Sequence, residues 1–217
     1  MSKIVVLNSG GFDSVVLMEY LHFIQEENEI YSLHFLYGAN NEKQQLECVN
    51  KVCEKVGAVN KVIQLPPIDW TQSKFFNDGE YTASNQYLEY RNLIFLSYAL
   101  SYAEAIGADK VYLALINNSQ YPDTSLEFLQ GLNYFCEPAS GISIDAPFIY
   151  DSKLRLGHIA KYLGITEEDY FSCDKPDKEG RPCGVCDDCV ALKEIKEKLS
   201  TQAQGAPVPS EKPVVKK

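Results

Sequence analysis

The chain has 217 residues, is 45% hydrophobic and carries a formal net charge of −10. That length and balance suit one soluble domain with a sizeable core, and the acidic total disfavours direct binding of long nucleic acid, whose grip rests on neutralised phosphates. The apolar run before Asn8 is about five residues, too short for a signal peptide or a membrane span, so no membrane association and a cytoplasmic location are expected.

Lys3–Leu7 is predicted as a buried strand, followed by a helix over Ser14–Gln25 with Val15, Met18 and Leu21 on one side. Glu29–Tyr37 is a second strand. Glu42–Val56 is a helix with Leu46, Val49, Val52, Cys53 and Val56 on one face, and Gly57 is its natural stop. Lys61–Leu65 is a third strand. Asp69–Gln86 is polar with little period and is predicted as a long loop, the kind that forms lids or site walls.

Arg91–Ile106 is a helix rich in Leu and Ala, stopped by Gly107, and Lys110–Ile116 is a fourth strand. A short helix is expected over Ser125–Tyr134, a strand over Ile142–Ile144, and a helix over Lys153–Leu163 ending at Gly164. Glu194–Leu199 closes the ordered part, and the proline-containing stretch from Ala203 is expected to be a disordered tail. Strands alternating with helices predict an α/β fold with a doubly wound, mainly parallel sheet. The expected divisions are an α/β domain over residues 1–165, a cysteine-rich segment over 166–200 packed on it, and a tail over 201–217. Ligands bind outside the carboxyl ends of such strands, so the loops at Asn8–Ser14, Tyr37–Asn41 and Asn117–Pro122 should converge on one crevice.

The first of these loops reads Ser9-Gly10-Gly11-Phe12-Asp13-Ser14. Adjacent glycines let the backbone turn sharply and leave amides uncovered, and with the helix start they make an anion site. Ser9 and Ser14 can add hydroxyl donors. Asp13 beside a phosphate calls for Mg²⁺ or a local hydrogen bond to offset its charge. Neither the Walker pattern nor Gly-x-Gly-x-x-Gly is present.

Of seven cysteines, four fall within residues 173–189: Cys173, Cys183, Cys186 and Cys189. Four thiolates suit a closed, structural zinc site, and an iron–sulfur cluster is the alternative. A redox pair needs only two cysteines and leaves the others unexplained. Cys48, Cys53 and Cys136 are expected to be small buried hydrophobes.

The Ser-Gly-Gly-x-Asp-Ser string after a first strand resembles the PP-loop ATP pyrophosphatase superfamily. Together with the late Cys…Cys-x-x-Cys-x-x-Cys it resembles the 7-cyano-7-deazaguanine synthase (QueC) family. Tyr37-Gly38, Arg91-Asn92-Leu-Ile-Phe95-Leu96-Ser97-Tyr98-Ala99, Tyr121-Pro122-Asp123, Glu127-Phe128, Ala146-Pro147, Lys153 and Ser172-Cys173 follow in the family's order. The resemblance implies that 7-carboxy-7-deazaguanine is adenylated by ATP, that ammonia makes an amide, and that a second activation gives the nitrile. It implies a homodimer, with ATP, Mg²⁺ and structural Zn²⁺. It places ATP on Leu7, Asn8, Ser9, Gly10, Gly11, Phe12, Asp13 and Ser14. Asp13, Ser14, Arg91 and Lys153 are the implied catalytic residues. Tyr37, Arg91, Asn92, Asn117, Tyr121 and Asp123 are the implied substrate contacts.

The chain departs from the family in places. Asn117 stands where a carboxylate is usual and Gln120 where a glycine is usual, with Thr124-Ser125 next to them. Ala39-Asn40-Asn41, Glu89, Tyr170 and Asp174 are further departures. These favour, as an alternative, a paralogue that stops at the amide or passes the acid to another amine. The glycine loop would also suit a PP-loop tRNA-modifying enzyme or a nucleotide-sensing module.

Overall fold

A short apolar strand whose neighbouring side chains are all buried needs cover on both faces of its sheet. The computed structural model, which describes residues 2–25, 28–66, 88–116 and 121–201, has that architecture. Strands β1 (Lys3–Leu7), β2 (Glu29–Leu36), β3 (Val59–Gln64), β4 (Lys110–Tyr112) and β5 (Ser143–Asp145) form a five-stranded sheet in the order β3-β2-β1-β4-β5. All the pairings are parallel; Ile4 of β1 lies between Ile30 of β2 and Lys110 of β4. Among the described residues the helices are α1 (Phe12–Ile24), α2 (Glu42–Val56), α3 (Arg91–Ile106), α4 (Leu126–Ser140), α5 (Lys153–Leu163) and α6 (Asp187–Thr201).

Strand alternation sorts the core. Val5 points into one apolar cluster with Leu33, Val111 and the α3 residues Leu96, Ala99 and Ala103. Ile4 and Val6 point into the other, with Val15, Leu17 and Met18 of α1, Val49 of α2, Leu156 of α5 and Ile195 of α6. Because α1 is enclosed by β1, α2 and α5, it is buried almost all round, which explains its near-continuous apolar sequence. The chain winds from β1 outward through β2 to β3, then returns to the other side of β1 for β4 and β5. This reversal opens a crevice at the carboxyl ends of β1 and β4.

Several boundaries differ from the sequence expectation. The fourth strand stops at Tyr112, not Ile116, because its partner β5 is only three residues long. Helix α4 runs past Tyr134 to Ser140 with Pro138 inside it. The carbonyl that Pro138 cannot engage belongs to Tyr134, a residue on the solvent face, so the missing bond costs little there. Helix α6 begins at Asp187, between the cysteines, where Asp187 and Asp188 suit the positive end of a helix dipole. Ile195 of α6 joins the core beside α5, and an added Cβ on Gly157 would lie 2.5 Å from it. Cys48, Cys53 and Cys136 are buried, as expected. Among the described residues no helix is long and apolar enough to cross a membrane. The 69–86 loop, Asn117 and the tail after Ala203 lie outside the described residues.

Candidate active site

The bend after β1 is built from the inside. Asn8 is buried; its amide donates to Ser32 Oγ at 3.2 Å and its Oδ1 accepts the Gly10 amide at 3.0 Å. Gly10 has φ +78°, and an added Cβ would sit 2.3 Å from the Gln45 carbonyl oxygen, so only glycine fits. Gly11 precedes α1 without any side-chain cap, so the first-turn amides have no carbonyl one turn back. The Phe12 amide donates to Ser172 Oγ at 2.8 Å, and the Phe171 amide donates to the Gly10 carbonyl at 2.9 Å. The bend is thus gripped from a segment some 160 residues away in sequence.

The strand ends and the starts of α3 and α5 enclose a cavity of about 480 Å³. Leu7, Asn8, Ser9, Gly11, Phe12, Asp13, Ser14, Tyr37, Arg91, Asn92, Tyr121 and Lys153 all line it. Gly10 and Asp123 are not in its wall. Asp123 is 2% exposed; its carboxylate accepts the Asn92 amide and its carbonyl accepts Asn92 Nδ2, each at 3.0 Å. Asn92 is the second residue of α3, and the residue that precedes the helix is Tyr90, at φ 50°. Arg91 Nη1 donates to Tyr37 Oη at 3.4 Å. Burial opposes the Arg91 charge, but Tyr37, Asp123 and Asp174 hold its pKa above the ordinary arginine value. Burial raises the Asp123 carboxyl in spite of the Asn92 amide and Arg91. The rings of Phe35 and Phe95 stack at 4.4 Å between centroids, with Tyr37 tilted against Phe95 at 5.3 Å, giving the cavity an aromatic wall.

Lys153, from the first turn of α5, pairs with Asp13 Oδ2. Burial works against its ammonium, yet Asp13 and Asp188 keep its pKa raised. The second oxygen, Asp13 Oδ1, is buried with no hydrogen-bond partner among the described residues. Such an orphaned acceptor is a natural ligand for a hard cation or a donor arriving with substrate. Asp188 also lines the cavity, and burial, then Asp174, push its pKa up to about 7.

Behind the bend, the Sγ atoms of Cys173, Cys183, Cys186 and Cys189 all lie within 4.8 Å of one another. A tetrahedral site with metal–sulfur bonds of about 2.3 Å needs sulfur–sulfur edges of about 3.8 Å, so the set fits a metal ion with small adjustment. The Cys183 and Cys186 amides donate to sulfur at 3.2 and 3.3 Å, the kind of support that steadies thiolates.

A family model described as Queuosine biosynthesis protein QueC matches residues 3–198. The chain belongs to the QueC family. A relative from Clostridium kluyveri named 7-cyano-7-deazaguanine synthase is 33% identical over 218 residues, covering 91% of this chain and 94% of that one. One of the same name from Campylobacter hominis is 30% identical over 206 residues, covering 86% and 91%. Two solved structures share the fold: the U34-tRNA thiolase NcsA from Methanococcus maripaludis with its [4Fe-4S] cluster, and a 4-thiouridine synthetase–RNA complex with bound ATP. The first has a TM-score of 0.55 at 14% identity, covering 94% of this chain and 67% of that one. The second has 0.54 at 18%, covering 93% and 51%.

Within this QueC-family site, sequence reasoning missed several residues. Glu42 Oε1 accepts the amides of Tyr37, Gly38 and Ala39, fixing the turn after β2. Asn41 Nδ2 donates to the Cys173 carbonyl at 2.9 Å, so one unusual residue of that turn ties α2 to the cysteine segment. Tyr170, another departure, packs edge-on against Phe12 at 5.0 Å. Phe95, Ser172, Asp174 and Asp188 line the cavity without having carried a role.

His34 was also missed. It is 2% exposed, and its Nδ1 lies 2.9 Å from the Asn8 carbonyl, which only accepts, so Nδ1 carries the proton. Burial lowers its pKa from 6.5, opposed by the Asn8 bond and Glu42. A histidine with a folded pKa below its unfolded value contributes stability that is complete above about 6.5 and is lost as pH falls through the folded pKa. Acidification from about pH 7 to pH 5 should therefore lower the melting temperature more in the wild type than in His34→Asn, whose amide donates to Asn8 without titrating. Parallel melting curves for the two proteins would exclude this role.

Proposed function

We propose that this chain is an ATP-dependent carbon–nitrogen ligase that converts 7-carboxy-7-deazaguanine and ammonia, through an amide, to 7-cyano-7-deazaguanine. The observation that carries the reading is the gathering of the glycine bend, the Asp13–Lys153 pair, Arg91 and the aromatic wall in one cavity. Family membership and the names of the relatives support the substrate.

A carboxylate resists amines because its leaving group is oxide or hydroxide. Moving AMP onto one carboxylate oxygen, with loss of pyrophosphate, makes AMP the leaving group for ammonia. The amide oxygen then takes AMP from a second ATP, and elimination of AMP with loss of the amide protons leaves the nitrile. In this reading the bend from Asn8 to Ser14 receives the phosphates, and the Lys153 ammonium, kept charged by Asp13, balances the charge growing on pyrophosphate. Arg91 meets the acid's carboxylate through its planar fork. Phe95, Phe35 and Tyr37 give a planar base an apolar face on which to stack. Asp13 Oδ1 would hold Mg²⁺, which supplies charge neutralisation to the phosphates. Cys173, Cys183, Cys186 and Cys189 would hold a structural Zn²⁺, which pins the segment that grips the bend.

Incubation with ATP, Mg²⁺, ammonium and 7-carboxy-7-deazaguanine should yield the nitrile and twice as much AMP, read by mass spectrometry. A second reading rests on Asn117 and Gln120, which replace residues usual in the family. It predicts amide as the end product with equimolar AMP. Absence of AMP with this acid would overturn both.

A further inference from the structure

The hydroxyl protons over the bend can be assigned one by one. Ser14 Oγ lies 3.0 Å from the Gly11 carbonyl, which accepts only, so Ser14 donates its single proton there. Ser9 Oγ lies 3.0 Å from Ser14 Oγ; since the Ser14 proton is already placed, Ser9 is the donor in that contact. Ser9 Oγ in turn accepts the Gly11 amide at 3.2 Å. Both serines of the motif thus use their protons to hold the loop closed, and neither has one to offer a ligand. Ser172 differs. Its oxygen accepts the Phe12 amide, and among the described residues its own proton has no acceptor. It lines the cavity, and its Oγ lies 3.5 Å from where a Cβ on Gly11 would stand.

Its position is set by backbone contacts on both sides. The Phe171 amide donates to the Gly10 carbonyl at 2.9 Å, and the Phe171 carbonyl accepts Gln45 Nε2 at 3.4 Å. On the other side the Cys173 carbonyl accepts Asn41 Nδ2. A hydroxyl held in this way beside the first turn of α1 presents a donor at little ordering cost.

We propose that Ser172, carried by the cysteine segment and not by the glycine motif, is a nucleotide-binding residue that donates its hydroxyl proton to a phosphate oxygen of ATP. The assignment rests on the proposed function, because it needs a nucleotide phosphate in the bend. It implies that the nucleotide site is closed by two parts of the chain, the motif itself and the segment leading into the cysteine cluster.

The test is titration calorimetry with Mg²⁺ and α,β-methylene ATP, which binds without being cleaved. A hydrogen bond to a charged group is worth about a tenfold or greater change in affinity. Ser172→Ala should weaken the analogue by about tenfold or more, and Ser172→Thr should restore it. Should the alanine variant not fold, Ser172→Cys, of similar volume but a weak donor, should show the same loss. Wild-type affinity in the alanine or cysteine variant would overturn the assignment. Equal weakening by alanine and threonine would mean that the site needs the shape of serine and not its proton, and would overturn it as well. A wild-type protein that does not bind the analogue would remove the proposed function itself, a result distinct from an indifferent variant of a wild type that binds.

Discussion

Asp13→Ala is expected to lower AMP formation by about a hundredfold to a thousandfold while leaving the melting temperature within a few degrees of the wild type. The loss follows from charge. Asp13, in the wall of the cavity, pairs with Lys153 through one oxygen, and its other oxygen is buried and without a partner among the described residues. Removing a group that steadies charge in a transition state costs about that much in rate. Stability should change little for three reasons. The pair is partly exposed, and such pairs contribute little. Asp188 remains to balance Lys153. The substitution also removes an unsatisfied buried oxygen, offsetting the lost first-turn acid of α1. Asp13→Asn, which keeps the shape and removes the charge, should fail similarly. AMP release within tenfold of wild type in either variant would detach Asp13 from the chemistry.

Loss of the metal should have the largest structural effect. Protein purified without chelator is expected to hold close to one equivalent of zinc per chain, and less than about half an equivalent would count against the site. Stripping it should lower the melting temperature by something on the order of 10 °C, since metal binding to such a site is coupled directly to folding. Cys186→Ser should do the same, because Cys186 is fully buried and its Sγ is one of the four sulfurs gathered within 4.8 Å of one another. The damage should not stay local. The residues just before Cys173 hold the Phe12 amide and the Gly10 carbonyl, so nucleotide affinity should fall along with the metal. Unchanged melting and unchanged nucleotide binding after metal removal would show the cysteine cluster to be dispensable. Elemental analysis giving iron in place of zinc would change the identity of the centre while leaving its clamping role.

Much of this molecule was legible in the order of residues. The apolar run of β1, the helical spacing of α2 and its stop at Gly57 are local signals, set by periodicity and by the left-handed turn that glycine adopts at φ +68°. The Ser9–Ser14 bend and the Cys173–Cys189 cluster were equally plain, because short spacing confines their members to one neighbourhood whatever the rest of the chain does. Misjudged boundaries have a different origin. Strand β4 ends early because β5 is short, and helix α6, which begins at Asp187 inside the cysteine cluster and packs on α5, was not anticipated. Those lengths are set by partners that a window of sequence does not contain.

Sequence by itself therefore determined most of the elements, the glycine-rich bend and the four-cysteine cluster, since each depends on residues a few positions apart. Tertiary structure alone decided that Lys153 would meet Asp13 across 140 residues and that Ser172 would meet Phe12 across 160. It also decided that Ser9 and Ser14 would hydrogen-bond to the loop itself. The reason is that hydrogen bonds depend on distance and direction in space, and spatial neighbours are set by the order in which strands join the sheet. Here that order puts β1 beside β4 and leads the cysteine segment back over the first bend.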